Sequence, residues 1–267
     1  MEKICQIIQQ IETKQKMPMQ NKALILKYLK SGKTITFYDF ECPPRFIDQD
    51  KSGKIFINYL VKLNKIFEKE KIDHFTEIPR CIKNQTREIK TIKFLQSLGI
   101  NFRFAKIIAD TNLDYITPNS KKILGKKKIK NNFQKFKKLI QKQCQKYSIE
   151  VRIVLFSDLI KNFKKDYQSA FNYALKNNLI SAKILKEQIK RTQQHIGIKN
   201  QDEAIEFSRR TIATYAAEGI VFNKLSQTKN FSNSVWLNMD ESNKRTIVIT
   251  NSLRKKRKIG PLPMIFL

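Results

Sequence analysis

Three short runs of β-branched and aromatic residues recur along the chain, and a helical pattern follows each of them. The runs lie at 34–40 (TITFYDF), 102–109 (FRFAKIIA) and 150–156 (EVRIVLF). Their composition is typical of strands, and strands that alternate with helices form a mainly parallel sheet with helices on both faces. We therefore predict an α/β fold with about five strands.

The remaining chain supplies the helices and further strand candidates. Apolar residues at helical spacing predict helices at 2–16, 20–31, 56–71, 85–98, 121–146, 160–176, 180–194 and 202–218. Shorter apolar runs stand at 220–222, 235–237 and 246–250. No internal repeat or linker divides the 267 residues. We expect a single Rossmann-like domain, with a helical N-terminal extension over about 1–31 and a basic C-terminal tail over about 252–267.

The charge of the chain indicates its class of partner. It has 53 Lys and Arg against 23 Asp and Glu, a formal net charge of +30. Such a field attracts polyanions and accelerates their encounter. A hydrophobic content of 41% argues against a merely disordered basic chain. Nucleic acid is the predicted partner, and an acidic membrane surface is the second possibility.

The positive charge is densest in residues 121–146, which hold eleven Lys and no acidic residue. An apolar stripe recurs at helical spacing through Ile129, Phe133, Phe136, Ile140 and Cys144. A solvated helix face normally mixes charges of both signs, because like charges one turn apart repel. The cationic face is thus typical of a phosphate-binding helix, and a solubilising face is the alternative.

Two groups of basic residues are candidates for binding RNA phosphates. They are Lys126, Lys127, Lys128, Lys130, Lys135, Lys137, Lys138 and Lys142 in the helix, and Arg254, Lys255, Lys256 and Arg257 in the tail. The tail run, extended to Lys258, equally fits a nuclear import signal.

A helix from Asp202 to Glu218 carries the candidate catalytic face. The acidic residues Asp202 and Glu203 favour a helix start, and Gly219 is predicted to end the helix. Thr214 and Tyr215 each lie three or four residues from both Thr211 and Glu218. These side chains therefore share one helical face. A carboxylate can move a proton, and a phenol can donate a hydrogen bond. The alternative is a capped surface helix whose Glu218 pairs with Arg209 or a Lys.

Polar residues at strand ends supply further candidates. Asp110 directly follows the strand at 102–109, and Cys42 follows the strand at 34–40. Loops at the carboxyl ends of strands commonly hold the chemistry of α/β proteins. The alternatives are that Asp110 caps a helix and that Cys42 is structural.

Several classes of site have no support in the sequence. There is no P-loop, no G-x-G-x-x-G and no G-x-S-x-G motif. His195-Ile196-Gly197-Ile198 and Lys224-Leu225-Ser226 look like synthetase signatures, but they lie too late and too close together. The four cysteines are far apart and form no zinc motif. We predict no cofactor, no metal, no membrane span and a cytoplasmic location.

Four features in the second half of the chain follow one another in a characteristic order. They are a strand ending in Ala109-Asp110-Thr111, the basic helix, a strand ending in Ser157-Asp158-Leu159, and a helix containing ATYAAE at 213–218. In this order they resemble the tRNA-dependent cyclodipeptide synthases, whose fold is similar to the catalytic domain of class I aminoacyl-tRNA synthetases. The resemblance covers about residues 100–222.

The resemblance implies a function. Members of this family join two aminoacyl groups from charged tRNAs into a cyclic dipeptide. Their basic helix engages tRNA, while a Tyr and a Glu on the late helix handle the amine and the proton transfers. The family's nucleophilic Ser is missing here, where Cys42 stands, and Thr214 occupies the place of its Tyr. The expected function is therefore a transferase that uses aminoacyl-tRNA without ATP, and the alternative is a non-catalytic RNA- or ribosome-binding protein.

Overall fold

The computed structural model describes thirteen ranges of the chain, the shortest being single residues. They are 2–14, 17, 19–41, 45–49, 55–59, 77–111, 115–116, 126–176, 182–196, 198–228, 231, 233–238 and 264–266. Within these ranges lie eight α-helices and eight strands, numbered below in chain order.

The helices follow most of the predicted apolar patterns. They are α1 (Glu2–Gln9), α2 (Lys22–Lys30), α3 (Glu77–Ser97), α4 (Lys126–Lys146), α5 (Phe156–Leu159), α6 (Lys164–Lys176), α7 (Ala182–Arg191) and α8 (Gln201–Ser226). Single π-helical turns extend α1 over Gln10–Lys14 and α7 over Thr192–Ile196, and a 3-10 turn, Lys161–Phe163, precedes α6. No helix among the described residues has both the length and the hydropathy required to cross a membrane.

Six of the strands form one sheet in the order β1-β8-β7-β2-β5-β6. The strands are β1 (Met19–Gln20), β2 (Ile35–Glu41), β5 (Phe102–Ile108), β6 (Val151–Leu155), β7 (Ser234–Asn238) and β8 (Met264–Phe266). Every pairing is parallel except that of β1 with β8. The predicted mainly parallel sheet is therefore confirmed.

Helices cover both faces of this sheet, as predicted. On one face, Phe37, Phe104 and Val235 pack among residues of α1, α2, α3 and α4. On the other face, Tyr38 and Ile107 pack among residues of α6 and α8. Successive strand residues point to opposite faces, so each central strand contributes to both cores. This arrangement is the layered form of a Rossmann-like fold.

Two predicted elements are wrong. The segment at 56–71 was expected to be helical, but its first residues belong to strand β4 (Ile55–Tyr59), which pairs antiparallel with β3 (Arg45–Gln49). Residues 60–71 lie outside the described residues. The helix expected to stop at Gly219 continues to Ser226. The apolar run at 220–222 is consequently helical and not a strand. Gly219 and its neighbours are buried, and tertiary packing outweighs the weak helix propensity of one glycine.

The two ends of the chain also supply strands that the sequence analysis did not expect. β1 comes from the predicted helical extension, and β8 from the predicted basic tail. Met19 is paired with Ile265, while β8 runs beside β7 with Leu237 opposite Ile265. Both termini thus extend one edge of the main sheet.

Candidate functional site

Helix α8 carries Glu218 into the interior of the protein. Its first turn is capped by Asn200, whose side chain accepts a hydrogen bond from the Glu203 N–H over 3.1 Å. Glu218 is 3% exposed and Thr214 is fully buried, whereas Tyr215 is half-buried. The interpretation of this segment as a capped surface helix is therefore right about the cap and wrong about the surface.

The carboxyl ends of β5 and β6 are joined by Asp110. Ser157 donates its backbone N–H to Asp110 Oδ1 over 2.8 Å, and its hydroxyl to Oδ2. Ser157 lies in the first turn of α5, where N–H groups have no partner within the helix. Asp110 therefore caps a helix, as the alternative interpretation predicted. The capped helix is α5, which follows the neighbouring strand β6, and not a helix that follows Asp110 itself. Burial raises the pKa of Asp110, against the lowering effect of the hydrogen bonds from Ser157.

Thr111, which follows Asp110, belongs to a group of polar side chains close to Tyr167. Burial raises the pKa of Tyr167 well above its usual value, and the negative charge of Glu218 raises it further. Tyr115 acts in the same direction, while Thr111 and Thr214 oppose the rise. We call Thr111, Tyr167, Thr214 and Glu218 the β5-end cluster. It brings together α6, α8 and the carboxyl end of β5.

The Tyr167 hydroxyl is unusual among buried polar groups because it lacks a regular hydrogen bond in the described structure. The side chain is fully buried, and within the described part of the chain its hydroxyl makes no hydrogen bond of standard length and angle. The hydroxyls of Thr111 and Thr214 nevertheless come close enough to affect its pKa. Thr214 Oγ1 itself donates to the Arg210 carbonyl over 2.9 Å. The phenol thus remains a neutral donor beside a carboxylate.

Aromatic rings form the apolar side of the β5-end cluster. The Tyr167 ring lies 5.8 Å from Phe156 and 4.7 Å from Tyr115, measured between centroids. Phe156 in turn contacts Phe40 and Phe222, at 5.2 Å from each. Charges interact more strongly where such groups exclude water. A carboxylate in this setting is suited to accepting a proton, and a neutral phenol to directing it.

The cluster lies close to the point where the strand order of the sheet reverses. From β2 the chain proceeds to β5 and β6 on one side, and later to β7 and β8 on the other. Open parallel sheets bind ligands outside the carboxyl ends of strands at such a point. Phe40, the penultimate residue of β2, belongs to the aromatic group described above. Cys42 follows β2 and lies outside the described residues.

The basic helix predicted from the sequence is α4. Its apolar stripe is buried, with Phe133, Phe136, Ile140 and Cys144 each at most 5% exposed. Lys138 and Lys142 are exposed and Lys137 is half-buried. The side chains of Lys126, Lys127, Lys128, Lys130 and Lys135 are outside the described set, although their backbone is helical. Arg254, Lys255, Lys256 and Arg257 lie outside the described residues.

A buried charged group on the opposite face of the sheet was not predicted. Lys106 of β5 lies 2.5 Å from Glu88 Oε2 of α3 and 3.4 Å from Asp39 Oδ2 of β2. All three side chains are at most 7% exposed. The Lys106 ammonium thus lies within ion-pair distance of two buried carboxylates. In the described ranges, no three His, Cys, Asp or Glu side chains are grouped so as to hold a metal ion.

Sequence reasoning identified Glu218, Thr214 and Asp110 but missed Tyr167 and Thr111. Tyr167 belongs to a stripe with Ala170, Phe171 and Ala174 that is buried along α6. Such a stripe is indistinguishable from ordinary core in a sequence. Thr111 could have been considered, because it follows Asp110 directly at a strand end. Only the packing of α6 against α8 reveals that the two residues meet.

Comparison with solved structures supports the predicted resemblance at the level of the fold. Tyrosyl-tRNA synthetase from Archaeoglobus fulgidus, complexed with L-tyrosine, aligns with 99% of the chain at a TM-score of 0.53 and 8% identity. A CDPS from Fluoribacter dumoffii aligns with 94% of the chain at a TM-score of 0.50 and 10% identity. The chain thus has the fold shared by cyclodipeptide synthases and class I synthetases.

The lengths of these structures differ. The alignment covers 96% of the Fluoribacter chain but 63% of the Archaeoglobus synthetase. It covers 52% of the Plasmodium falciparum tryptophanyl-tRNA synthetase, at a TM-score of 0.46 and 10% identity. The chain therefore spans between half and two thirds of these synthetases. No protein-family model matches it, and no curated protein matches it in sequence.

Proposed function

We propose that this protein is an aminoacyl-tRNA-using transferase that forms peptide bonds from charged tRNA without ATP, in the manner of a cyclodipeptide synthase. The observation that carries the proposal is the position of Glu218. Its carboxylate is buried and close enough to the Tyr167 phenol to raise the pKa of that group, near the carboxyl end of β5 in a synthetase-like fold. Open parallel sheets place their ligands at this edge.

The proposed reaction is the aminolysis of an aminoacyl ester. The amine of one aminoacyl group attacks the carbonyl carbon of the other, a C–N bond forms, and the C–O bond to the terminal ribose breaks. Glu218 takes the proton from the attacking amine and returns it to the leaving ribose oxygen. The ester is already activated, so no nucleoside triphosphate is consumed. A second attack, by the free amine of the dipeptidyl ester, closes the ring and releases the second tRNA.

Neighbouring residues are assigned supporting roles. The neutral phenol of Tyr167 is proposed to donate a hydrogen bond to the substrate close to Glu218, a role that Thr214, which donates to the Arg210 carbonyl, does not fill. Tyr215, half-buried on the same helix, is proposed to bind the substrate amine. Asp110 fixes the ends of β5 and β6 through Ser157. Direct aminolysis needs no covalent intermediate, and Cys42 is the nucleophile only if one forms.

The partner in this proposal is tRNA, bound through phosphates on α4. Lys138 and Lys142 are exposed one turn apart on this helix, so they present adjacent positive charges. Neutralising phosphates releases condensed counterions, which gives affinity without sequence specificity. A helix of this kind suits a transferase that accepts tRNAs charged with different amino acids.

The proposal is tested in cells that express the full chain, because such cells supply every charged tRNA. Small molecules are extracted and compared by mass spectrometry between the wild type, Glu218→Gln and the control Glu206→Gln. Glu206 lies on the same helix but is 57% exposed and paired with Arg210. A cyclic dipeptide should appear with the wild type and the control, and disappear with Glu218→Gln. Unchanged small molecules, together with tight RNA binding by purified protein, would instead support the non-catalytic alternative.

A further inference from the structure

A single aromatic side chain stands exposed in the basic surface of the protein. Tyr147 is 37% exposed, and no other large hydrophobic side chain in the described ranges is as exposed. It directly follows the last residue of α4, the basic helix. Surface tyrosines commonly contribute to binding, because the ring is apolar and the hydroxyl remains hydrated.

Two ammonium groups flank this ring. Lys93 Nζ of α3 lies 5.3 Å from the ring centroid, and Lys146 Nζ of α4 lies 5.9 Å from it. Lys90 precedes Lys93 by one turn, and Lys142 precedes Lys146 by one turn, so each pair shares a helix face. All four lysines are exposed. We call these lysines and Tyr147 the Tyr147 patch.

Among the described side chains of α3 and α4, none that is acidic is exposed. The described side chains of α3 begin at Arg87, and Glu88 among them is buried against Lys106. Helix α4 has no acidic residue at all. The nearest acid along the chain is Glu150, beyond the turn that follows Tyr147. The positive surface predicted for α4 therefore extends onto α3, with the tyrosine where the two helices end.

The backbone holds Tyr147 in a fixed position. Its N–H donates to the Cys144 carbonyl over 3.1 Å, and the N–H of Ile149 donates to the same carbonyl over 2.9 Å. Ser148 between them has a φ of 54°, the left-handed conformation that closes many helices. Ile149 is buried beneath the turn. A residue whose backbone is held in this way binds a ligand at a lower entropic cost than one in a mobile segment.

We propose that the Tyr147 patch binds a single-stranded segment of RNA, with an unpaired base stacked on Tyr147 and the adjacent phosphates on Lys90, Lys93, Lys142 and Lys146. Aromatic rings within a cationic groove are the usual platform for unpaired bases. A membrane surface would require a larger apolar area than one tyrosine offers. The proposal rests on the proposed RNA partner and specifies how that partner is held.

The position of the patch indicates which part of the RNA it contacts. Helices α3 and α4 end just before β5 and β6 begin, so the patch lies at the amino edge of the sheet. Asp110 and Glu218 lie toward the carboxyl edge. Strands of five to seven residues at about 3.3 Å per residue separate the two edges by roughly 20 Å. The stacked base is therefore not the terminal nucleotide that carries the aminoacyl group.

The test uses two RNAs, a hairpin with 2-aminopurine in an unpaired loop and a blunt duplex of equal length. Stacking on Tyr147 should quench the 2-aminopurine fluorescence when the wild-type protein binds. Tyr147→Leu should remove the quenching and weaken hairpin binding about 10-fold while leaving duplex binding unchanged. Tyr147→Phe, which keeps the ring, should behave as the wild type. Thermal unfolding confirms that each variant is folded.

The lysines are tested separately. Lys93→Ala with Lys146→Ala should weaken the binding of both RNAs and lower the salt dependence, because phosphates are present in each. Lys183→Ala with Lys186→Ala, two exposed lysines of α7, should change neither. Unquenched 2-aminopurine with the wild-type protein, or equal hairpin binding by Tyr147→Leu, would overturn the proposal and leave Tyr147 as a contact between two helix ends.

The two proposals fail in different ways. A cyclic dipeptide made equally well by Tyr147→Leu and wild type, without quenching, refutes the stacking and retains the transferase. Quenching without any cyclic dipeptide refutes the transferase and retains the RNA contact.

Discussion

Ser157 donates two hydrogen bonds to Asp110, one from its backbone N–H over 2.8 Å and one from its hydroxyl. The two residues are 47 positions apart in the sequence, and the basic helix α4 lies between them. Their contact therefore joins the two ends of the connection between β5 and β6 beside the β5-end cluster. These hydrogen bonds give Asp110 a structural role that does not depend on any role in catalysis.

Replacement of Asp110 should reveal these structural hydrogen bonds. Asn can accept from the Ser157 N–H and donate to its hydroxyl, whereas Ala can do neither. We expect Asp110→Ala to lower the free energy of unfolding by about 1–3 kcal/mol, and Asp110→Asn to lower it much less. Urea denaturation of the three proteins at pH 7 measures the difference, and equal losses for Asn and Ala would contradict the assigned bonds.

The stability of the wild type relative to Asp110→Asn should also depend on pH. Burial raises the pKa of Asp110 above its usual value of about 3.8, so the folded state favours the protonated carboxyl. That contribution to stability is complete below the unfolded pKa and is lost as the pH rises through the folded pKa. The free energy of unfolding of the wild type, relative to that of Asp110→Asn, should therefore fall as the pH is raised from about 3.8 toward neutrality. A difference that is constant with pH would refute this.

Tyr167→Phe should separate stability from function. The hydroxyl is buried without a hydrogen bond of standard geometry in the described structure, so its removal at pH 7 should leave stability unchanged or raise it by up to about 1 kcal/mol. Dipeptide formation should fall, because Glu218 loses the neighbouring phenol. Tyr173→Phe, a half-buried tyrosine of the same helix, should leave activity intact. Equal activity of both variants would remove Tyr167 from the proposed site.

The same variant should change the response to alkali. The pKa of Tyr167 is raised well above 10.0 in the folded protein. Its neutral form therefore stabilises the fold fully below the unfolded pKa, and this contribution is lost as the pH rises from there through the folded pKa. Tyr167→Phe should lose less stability than the wild type between about pH 9 and 11. Part of the dependence should remain, since burial also raises the pKa of Tyr38.

The buried charges at Lys106 should be far more important for stability than an exposed ion pair. Lys106→Met leaves two carboxylates, those of Asp39 and Glu88, buried without this cation. Removing one member of such a group costs about 3–5 kcal/mol. Lys22→Met breaks the pair with Glu12, in which the Lys side chain is 46% exposed, and should cost about 1 kcal/mol or less. Denaturant unfolding compares the two, and similar losses would contradict the burial of the triad.

The fold was largely predictable from local patterns in the sequence. The predictions that were wrong have physical explanations. The central strands β2, β5 and β6 and the basic helix follow from composition and periodicity. Strand β4 was mistaken for a helix because short apolar runs fit both periods, and its pairing with β3 is set by the tertiary structure. Gly219 was taken as a helix end, but burial of most of α8 outweighs a cost of about 1 kcal/mol.

The candidate site was predictable only in part. Glu218 and Asp110 stand at recognisable places, on a polar helix face and at a strand end. Tyr167 could not be identified, because its helix shows only an ordinary apolar stripe. Its proximity to Glu218 depends on how α6 packs against α8. The Tyr147 patch was hidden for a similar reason, since Lys93 and Lys146 are 53 positions apart in the printed sequence.

The phosphate contacts proposed for α4 should appear in the salt dependence of RNA binding. Lys137→Ala, Lys138→Ala and Lys142→Ala together should weaken binding and flatten the plot of log K against log salt by about 0.7–0.9 for each lost contact. Titrations at several salt concentrations measure the slope. The matched control replaces Lys183, Lys186 and Lys190 of α7, and a slope equal to that of the wild type in both variants would refute the role of α4.

Glu218→Gln decides whether this carboxylate serves catalysis or folding. Gln nearly preserves the shape of the side chain but cannot accept a proton. If Glu218 is catalytic, the variant should keep its melting temperature and RNA affinity and lose turnover by about 100-fold or more. Loss of the negative charge should also lower the pKa of Tyr167, which Glu218 raises, and absorbance titration of the phenols would detect the shift. A structural carboxylate behaves differently, since disruption of a buried charged contact costs about 3–5 kcal/mol. A fall of many degrees in melting temperature, with activity reduced only in proportion to the folded protein, would assign Glu218 to the scaffold.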